Sequence, residues 1–146
     1  MTPFTINVRV YYEDTDAGGR VYYANYLKFC ERARTEWLRA VKITQQEMLE
    51  QGRGFVVSSC KVKYRGMAKL DDELLVSCVP LRLRHASLTL YQQVCDRLGR
   101  CLCELECALA FVDTASGRPL PLPETIYEFV KSILPEDVSA LGVKLS

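Results

Sequence analysis

Apolar and polar residues alternate at the start of the chain. Phe4, Ile6, Val8, Val10 and Tyr12 share one parity, and Thr5, Asn7, Arg9 and Tyr11 the other. A period of two predicts a strand with one buried face. From about Asn25 to Val41 the period changes. Tyr26, Cys30, Ala33, Trp37 and Val41 recur every three or four positions, flanked by Leu27 and Leu38, while Lys28, Glu31, Arg32, Arg34, Glu36 and Arg39 take positions between them. That pattern predicts an amphipathic helix of about five turns. In "TQQE", Thr44 and Glu47 fit a capping box for a short second helix, with Gly52 or Gly54 past its end.

Most of the remainder reads as strand. Phe55 to Tyr64 places Val56, Cys60, Val62 and Tyr64 on one parity. Glu73 to Arg84 places Leu75, Val79, Leu81 and Leu83 on one side, with Pro80 marking an edge or a bulge. Ser87 to Cys95 follows, then a turn at "DRLGR", then Cys101 to Val112 with Cys101, Cys103, Leu105, Cys107, Leu109 and Phe111 on one face. "PETIYEFVKSIL" gives a closing helix, with Pro123 near its first position and Pro135 beyond its end. Consecutive strands with short links are expected to be antiparallel neighbours. One long helix then covers one face of a sheet curled around it, which is an α+β fold. A chain of 146 residues without a linker or repeat is read as one domain, residues 1–146.

Composition narrows the function classes. The formal net charge is +1, so nothing global points to nucleic acid or a membrane surface, and an anion site must come from local clustering. No apolar run approaches the ~18 residues of a membrane span. The N-terminus lacks the pattern of a signal peptide, so a cytoplasmic location is the default and the seven cysteines are read as free thiols. "CLCELEC" has the look of a metal cluster. Its cysteines fall on one strand face, however, and no second ligand pair accompanies them, so burial explains them and no metal or other cofactor is implied. The one histidine, His85, sits where a turn is expected.

Two groups of residues carry candidate chemistry. Arg82 and Arg84 lie together, and Arg65 and Lys69 lie in another turn, where they form a solvated face or a phosphate site. The second group is "EDTDAGGRVYYANY", residues 13–26. Asp14 and Asp16 can be read as a D-x-D pair for Mg²⁺ or as turn residues. Alternatively, Asp16 stands before Gly18-Gly19, which permit a tight backbone path, and the chain then enters the long helix near Tyr23 to Asn25. Unpaired N–H groups at a helix start can polarise a carbonyl, and a carboxylate beside them can attack it or activate water.

The segment "VRVYYEDTDAGGRVYYANYLKFCERARTEWLR" closely resembles the acyl-CoA thioesterases of the hotdog fold. It is most similar to the 4-hydroxybenzoyl-CoA thioesterase superfamily and, within it, to the bacterial subfamily associated with the Tol–Pal system. Tyr12, Asp14, Thr15, Asp16, Gly18, Gly19, Val21, Tyr22, Asn25 and Tyr26 carry the pattern, and the likeness continues through "VKYRGMAKLDDELLV" and "RLRHASLTLYQQV". The resemblance implies a long helix wrapped by an antiparallel sheet, and dimers or tetramers with active sites at subunit interfaces. It implies an acyl-CoA or acyl-carrier-protein substrate, Asp16 as the catalytic carboxylate, and N–H groups near Tyr23 and the Gly19 turn facing the thioester. Arg65, Lys69, Arg82 and Arg84 are the candidates for CoA's phosphates. Tyr23 departs from most members of the subfamily, which carry His there, although some thioesterases of the wider superfamily also carry Tyr, and Gly66-Met67 stand where alanine and proline are usual. A phenol does not serve as a general base at neutral pH, so Tyr23 is assigned to hydrogen bonding, packing or shaping the acyl pocket. Two other readings stay open: a hotdog hydratase or dehydratase, and a non-catalytic module that binds acyl-CoA or acyl carrier protein.

Overall fold

The computed structural model describes residues 3–41, 43 and 45–135. Strand β1 (Phe4–Arg9) passes through a 3-10 turn (Tyr12–Asp14) and a loop into helix α1 (Asn25–Ala40). Helix α2 (Gln45–Glu50), strands β2 (Arg53–Tyr64), β3 (Glu73–Leu83), β4 (Ser87–Cys95) and β5 (Cys101–Asp113), and helix α3 (Glu124–Ile133) follow. The predicted order of elements is observed. Thr44, the predicted cap, lies outside the described residues.

The five strands form one antiparallel sheet in the order β1-β3-β4-β5-β2. The expectation that consecutive strands are neighbours holds for β3–β4 and β4–β5 but fails for β2, which pairs with β5 at the far edge. The 65–72 link is the reason. The Arg65 and Gly66 N–H groups both donate to the Leu102 carbonyl, and Lys69 bridges to Arg20, so the segment crosses the end of the sheet instead of closing a hairpin.

Helix α1 packs on β1, β3 and β4. Tyr26, Phe29, Cys30, Ala33, Trp37 and Leu38 are buried against Val8, Val10, Leu74, Val76, Leu88, Leu90 and Val94. Phe29 is fully buried although it lies outside the predicted stripe, whereas Leu27 is 39% exposed. A buried glutamine fixes the helix on the sheet. Gln92 donates through Nε2 to the Cys30 carbonyl (2.9 Å) and accepts from Arg34 Nη1 (2.9 Å), so neither end of its amide is left unpaired.

Three face assignments need correction. Tyr12 does not continue the buried face of β1; the strand stops at Arg9 and Tyr12 is exposed in the 3-10 turn. In β3 the buried positions before Pro80 are Leu74, Val76 and Cys78, so Leu75 faces out. The predicted bulge is present, with a register shift between Pro80 and Arg82, and Leu81 beyond it is buried. A one-residue slip changes which parity is buried. The same thing happens in β2, where the register shifts between Val57 and Ser59. Val57 and Phe55 therefore share a face with Cys60, Val62 and Tyr64, each opposite an inward residue of β5, while Val56 points the other way. The β5 prediction holds from Cys103 through Leu105, Cys107 and Leu109 to Phe111, all buried, whereas Cys101 is only half-buried and Leu102 and Val112 of the other parity are buried as well. No helix among the described residues is long and apolar enough to cross a membrane.

Candidate active site

The loop between β1 and α1 is held from three sides. Thr15 pairs with Val21, the Asp16 N–H donates to the Arg20 carbonyl (2.8 Å), and the Gly19 N–H donates to the Asp16 carbonyl (3.0 Å). Gly19 sits at φ +76, a conformation that glycine adopts without steric cost. The 65–72 link buttresses the turn: the Val21 N–H donates to the Ala68 carbonyl and the Leu70 N–H to the Gly19 carbonyl. The Ala68 N–H in turn donates to the Tyr26 hydroxyl (3.0 Å), which ties the link to the first turn of α1.

The carboxylates of the opening motif separate into different roles. Glu13 is exposed. Asp14 is buried, and its two oxygens accept from Asn25 Nδ2 and from the Tyr11 N–H, each at 2.9 Å. Its carbonyl accepts from the Tyr22 N–H. Through its side chain and its carbonyl, this one residue joins the segment just past β1, the loop and the first residue of α1. Asp16 is exposed; its Oδ1 accepts from the Gly18 N–H (2.9 Å), while Oδ2 has no hydrogen bond among the described residues. An exposed carboxylate oxygen is the chemically available one of this group.

Helix α1 begins without a side-chain cap. Ala24 occupies the cap position, and no acidic residue stands in the first turn. Serine, threonine, asparagine or aspartate would cap better. Neither the Tyr23 nor the Ala24 N–H makes a hydrogen bond among the described residues, so this helix start keeps donors for a ligand. Tyr23 is 62% exposed, with its ring 4.9 Å from Tyr22 and edge-on to Tyr64 at 6.0 Å.

Sequence reasoning named Asp16, Gly19 and Tyr23, and the structure places all three in this one loop. It missed the Asp14–Asn25 pair and Tyr64; the available signal was that Asn25 and Asp14 both lie within the motif. The predicted cations divide. Arg65, at the end of β2, pairs with Glu104, and Lys69 pairs with Asp72 (3.2 Å); both belong to the link that touches the loop. Arg82 pairs with Glu106 on the outward face of the sheet. Arg84 lies beyond the far end of the 11-residue β3. At ~3.3 Å per residue that strand separates Arg84 from the loop by roughly 35 Å.

Comparison with solved structures identifies the architecture as the hotdog fold. A 1,4-dihydroxy-2-naphthoyl-CoA thioesterase from Synechocystis, Slr0204, superposes with a TM-score of 0.84 at 19% identity, covering 90% of this chain and 98% of that one. Residues 10–130 match the model of the thioesterase-like superfamily, and the chain belongs to that family. Among curated relatives, the acyl-CoA thioesterase YbgC of Haemophilus influenzae is 43% identical over 124 residues, 84% of this chain and 90% of that one. The Escherichia coli acyl-CoA thioester hydrolase YbgC is 42% identical over 125 residues, 86% of this chain and 93% of that one.

Proposed function

We propose that the chain is an acyl-CoA thioesterase, hydrolysing an acyl-CoA thioester to the free acid and CoA. The observation that carries this is the pairing, on one rigid loop, of an exposed carboxylate oxygen at Asp16 with an uncapped helix start at Tyr23 and Ala24. Membership of the thioesterase-like superfamily and the likeness to the YbgC enzymes support it. In this reading the helix-start N–H groups hold the thioester oxygen, which becomes negative as the carbonyl carbon turns tetrahedral. Either Asp16 Oδ2 attacks that carbon, giving a mixed anhydride that water then hydrolyses to the free acid, or it takes the proton of an attacking water; in both cases the C–S bond breaks and the thiolate of CoA leaves and takes up a proton. Tyr23, exposed and aromatic, lines the acyl side and is the residue assigned to chain preference.

The site as one copy presents it is open. Val57, Cys60 and Tyr64 lie exposed on the inner face of β2, where Tyr26 of α1 packs edge-on to Tyr64 and leaves Val57 and Cys60 open. A second copy over this face encloses the acyl group, in keeping with a homodimer or homotetramer. Of the four cations, Arg65 and Lys69 stand near the loop of their own chain and are the ones proposed for CoA's phosphates. The donor is acyl-CoA or acyl carrier protein, and a cytoplasmic location goes with that substrate. Thiol release from short-chain, long-chain and aromatic acyl-CoAs tests the reading. Turnover of at least one class is expected; binding of acyl-CoA without turnover of any would replace the enzyme by a binding module.

A further inference from the structure

Tyr64 is the last residue of β2, the edge strand, and sits directly opposite the inward-facing Cys103 of β5. Its side chain therefore points to the side of the sheet on which α1 lies. The ring is edge-on to Tyr23 (6.0 Å) and to Tyr26 (5.8 Å), and the hydroxyl donates to the Tyr23 carbonyl at 3.1 Å. That carbonyl does not belong to an ordinary peptide. The Tyr23 C=O and the Ala24 N–H are the two ends of one planar amide, and the Ala24 N–H is among the donors left unpaired at the helix start. Holding the oxygen fixes the direction in which the N–H points. Donation to the oxygen also polarises the amide and strengthens its N–H as a donor, because hydrogen bonds in a chain reinforce one another.

We propose that Tyr64 is a positioning residue of the hydrolytic site, its hydroxyl aiming and strengthening the Ala24 N–H toward the thioester oxygen. The inference rests on the thioesterase reading and adds to it a residue from a different element, the edge strand. The bland alternative is that Tyr64 only packs against Tyr23 and Tyr26. Packing uses the ring, which phenylalanine keeps; positioning uses the hydroxyl, which phenylalanine lacks. Burial raises the phenol's pKa above the ordinary tyrosine value, so it remains a donor throughout the neutral range.

The test is Tyr64→Phe, read by steady-state kinetics on whichever acyl-CoA the wild type turns over fastest, with a melting curve beside it. A neutral hydrogen bond of ordinary strength corresponds to a fall in kcat of about three- to tenfold. KM should stay unchanged, and the melting temperature should fall by no more than the few degrees that one such bond contributes. A wild-type kcat in Tyr64→Phe would overturn the proposal. So would a melting temperature lowered by more than those few degrees, since a folding defect would then account for the lost turnover. Infrared spectroscopy of the same acyl-CoA, labelled with ¹³C at the thioester carbonyl and bound to Asp16→Asn, gives a readout without turnover. The carbonyl stretch should fall on binding, and fall less when Tyr64→Phe is added. An equal shift with and without the hydroxyl refutes the role of Tyr64 while leaving the thioesterase reading intact. No shift in either protein would count against the helix-start donors themselves, and the proposal would go with them.

Discussion

The replacement Asp14→Ala removes the carboxylate that ties the segment just past β1 to the first residue of α1. Two hydrogen bonds disappear, from Asn25 Nδ2 and from the Tyr11 N–H, both 2.9 Å long. Asn25 is buried, so its amide is left inside the protein without an acceptor. Hydrogen bonds to a charged group contribute about 1.5–3 kcal/mol each, and an orphaned buried donor adds to the cost. Against this, the wild type carries the cost of holding a carboxylate away from water, which alanine relieves. The balance is a loss of about 3 kcal/mol, or a melting temperature lower by roughly 6–12 °C for a domain of this size. Urea unfolding of Asp14→Ala beside Glu13→Ala separates this from a generic effect of lost charge. Glu13 is exposed and one residue away, and its removal should cost no more than about 0.5 kcal/mol. If the two variants unfold at the same urea concentration, Asp14 does not hold the loop.

Other outcomes follow from the core and the sheet surface. Phe29→Ala, which empties a fully buried position under α1, should cost about 3–5 kcal/mol; a loss below 1 kcal/mol would mean the helix does not rest on that side chain. Alkylation, mapped by mass spectrometry, should leave buried Cys30, Cys103 and Cys107 unmodified until the chain unfolds. Burial pushes Cys103 up to about 12 and Cys107 up to about 11, which keeps them as thiols at neutral pH. Burial also pushes Glu104 up, but hydrogen bonds from Tyr91 and Arg65 outweigh it and hold the carboxyl below its ordinary range. The sign follows: the stability Glu104 contributes is fully present above the ordinary glutamate value of ~4.3 and is lost as pH falls through the lowered one. Melting curves of wild type and Glu104→Gln should differ at pH 7 and converge in strong acid; a gap that widens on acidification would reverse the assignment.

Element order was legible because helix and strand segments differ in period and turn residues separate them. The 3.6-residue stripe of α1 is present in the structure, with Phe29 added to it and Leu27 left out, and the alternation of β5 holds from Cys103 to Phe111. Strand faces in β2 and β3 were not legible, because a bulge inside each strand changes the parity of everything past it. Pro80 announced one bulge; Ser58, in the other, carries no comparable mark. Pairing of β2 with β5 was hidden for a related reason. Register between distant strands depends on how the 65–72 link crosses the sheet, and hydrogen bonds such as Arg65 to Leu102 have no local signature. The loop itself was well marked, since Asp16, Gly19 and Tyr23 are consecutive enough for sequence to place them together. Tyr64 comes from the opposite edge of the sheet, and only the folded chain brings it to Tyr23.

Asp16→Asn bears most directly on the central claim, that one exposed carboxylate carries the hydrolysis. The variant keeps the shape of the turn and an oxygen for the Gly18 N–H, so acyl-CoA should still bind. Thiol release and acyl-CoA affinity measured on the same preparation give the answer. The account predicts affinity close to wild type with turnover reduced to background. Full turnover by Asp16→Asn would contradict it.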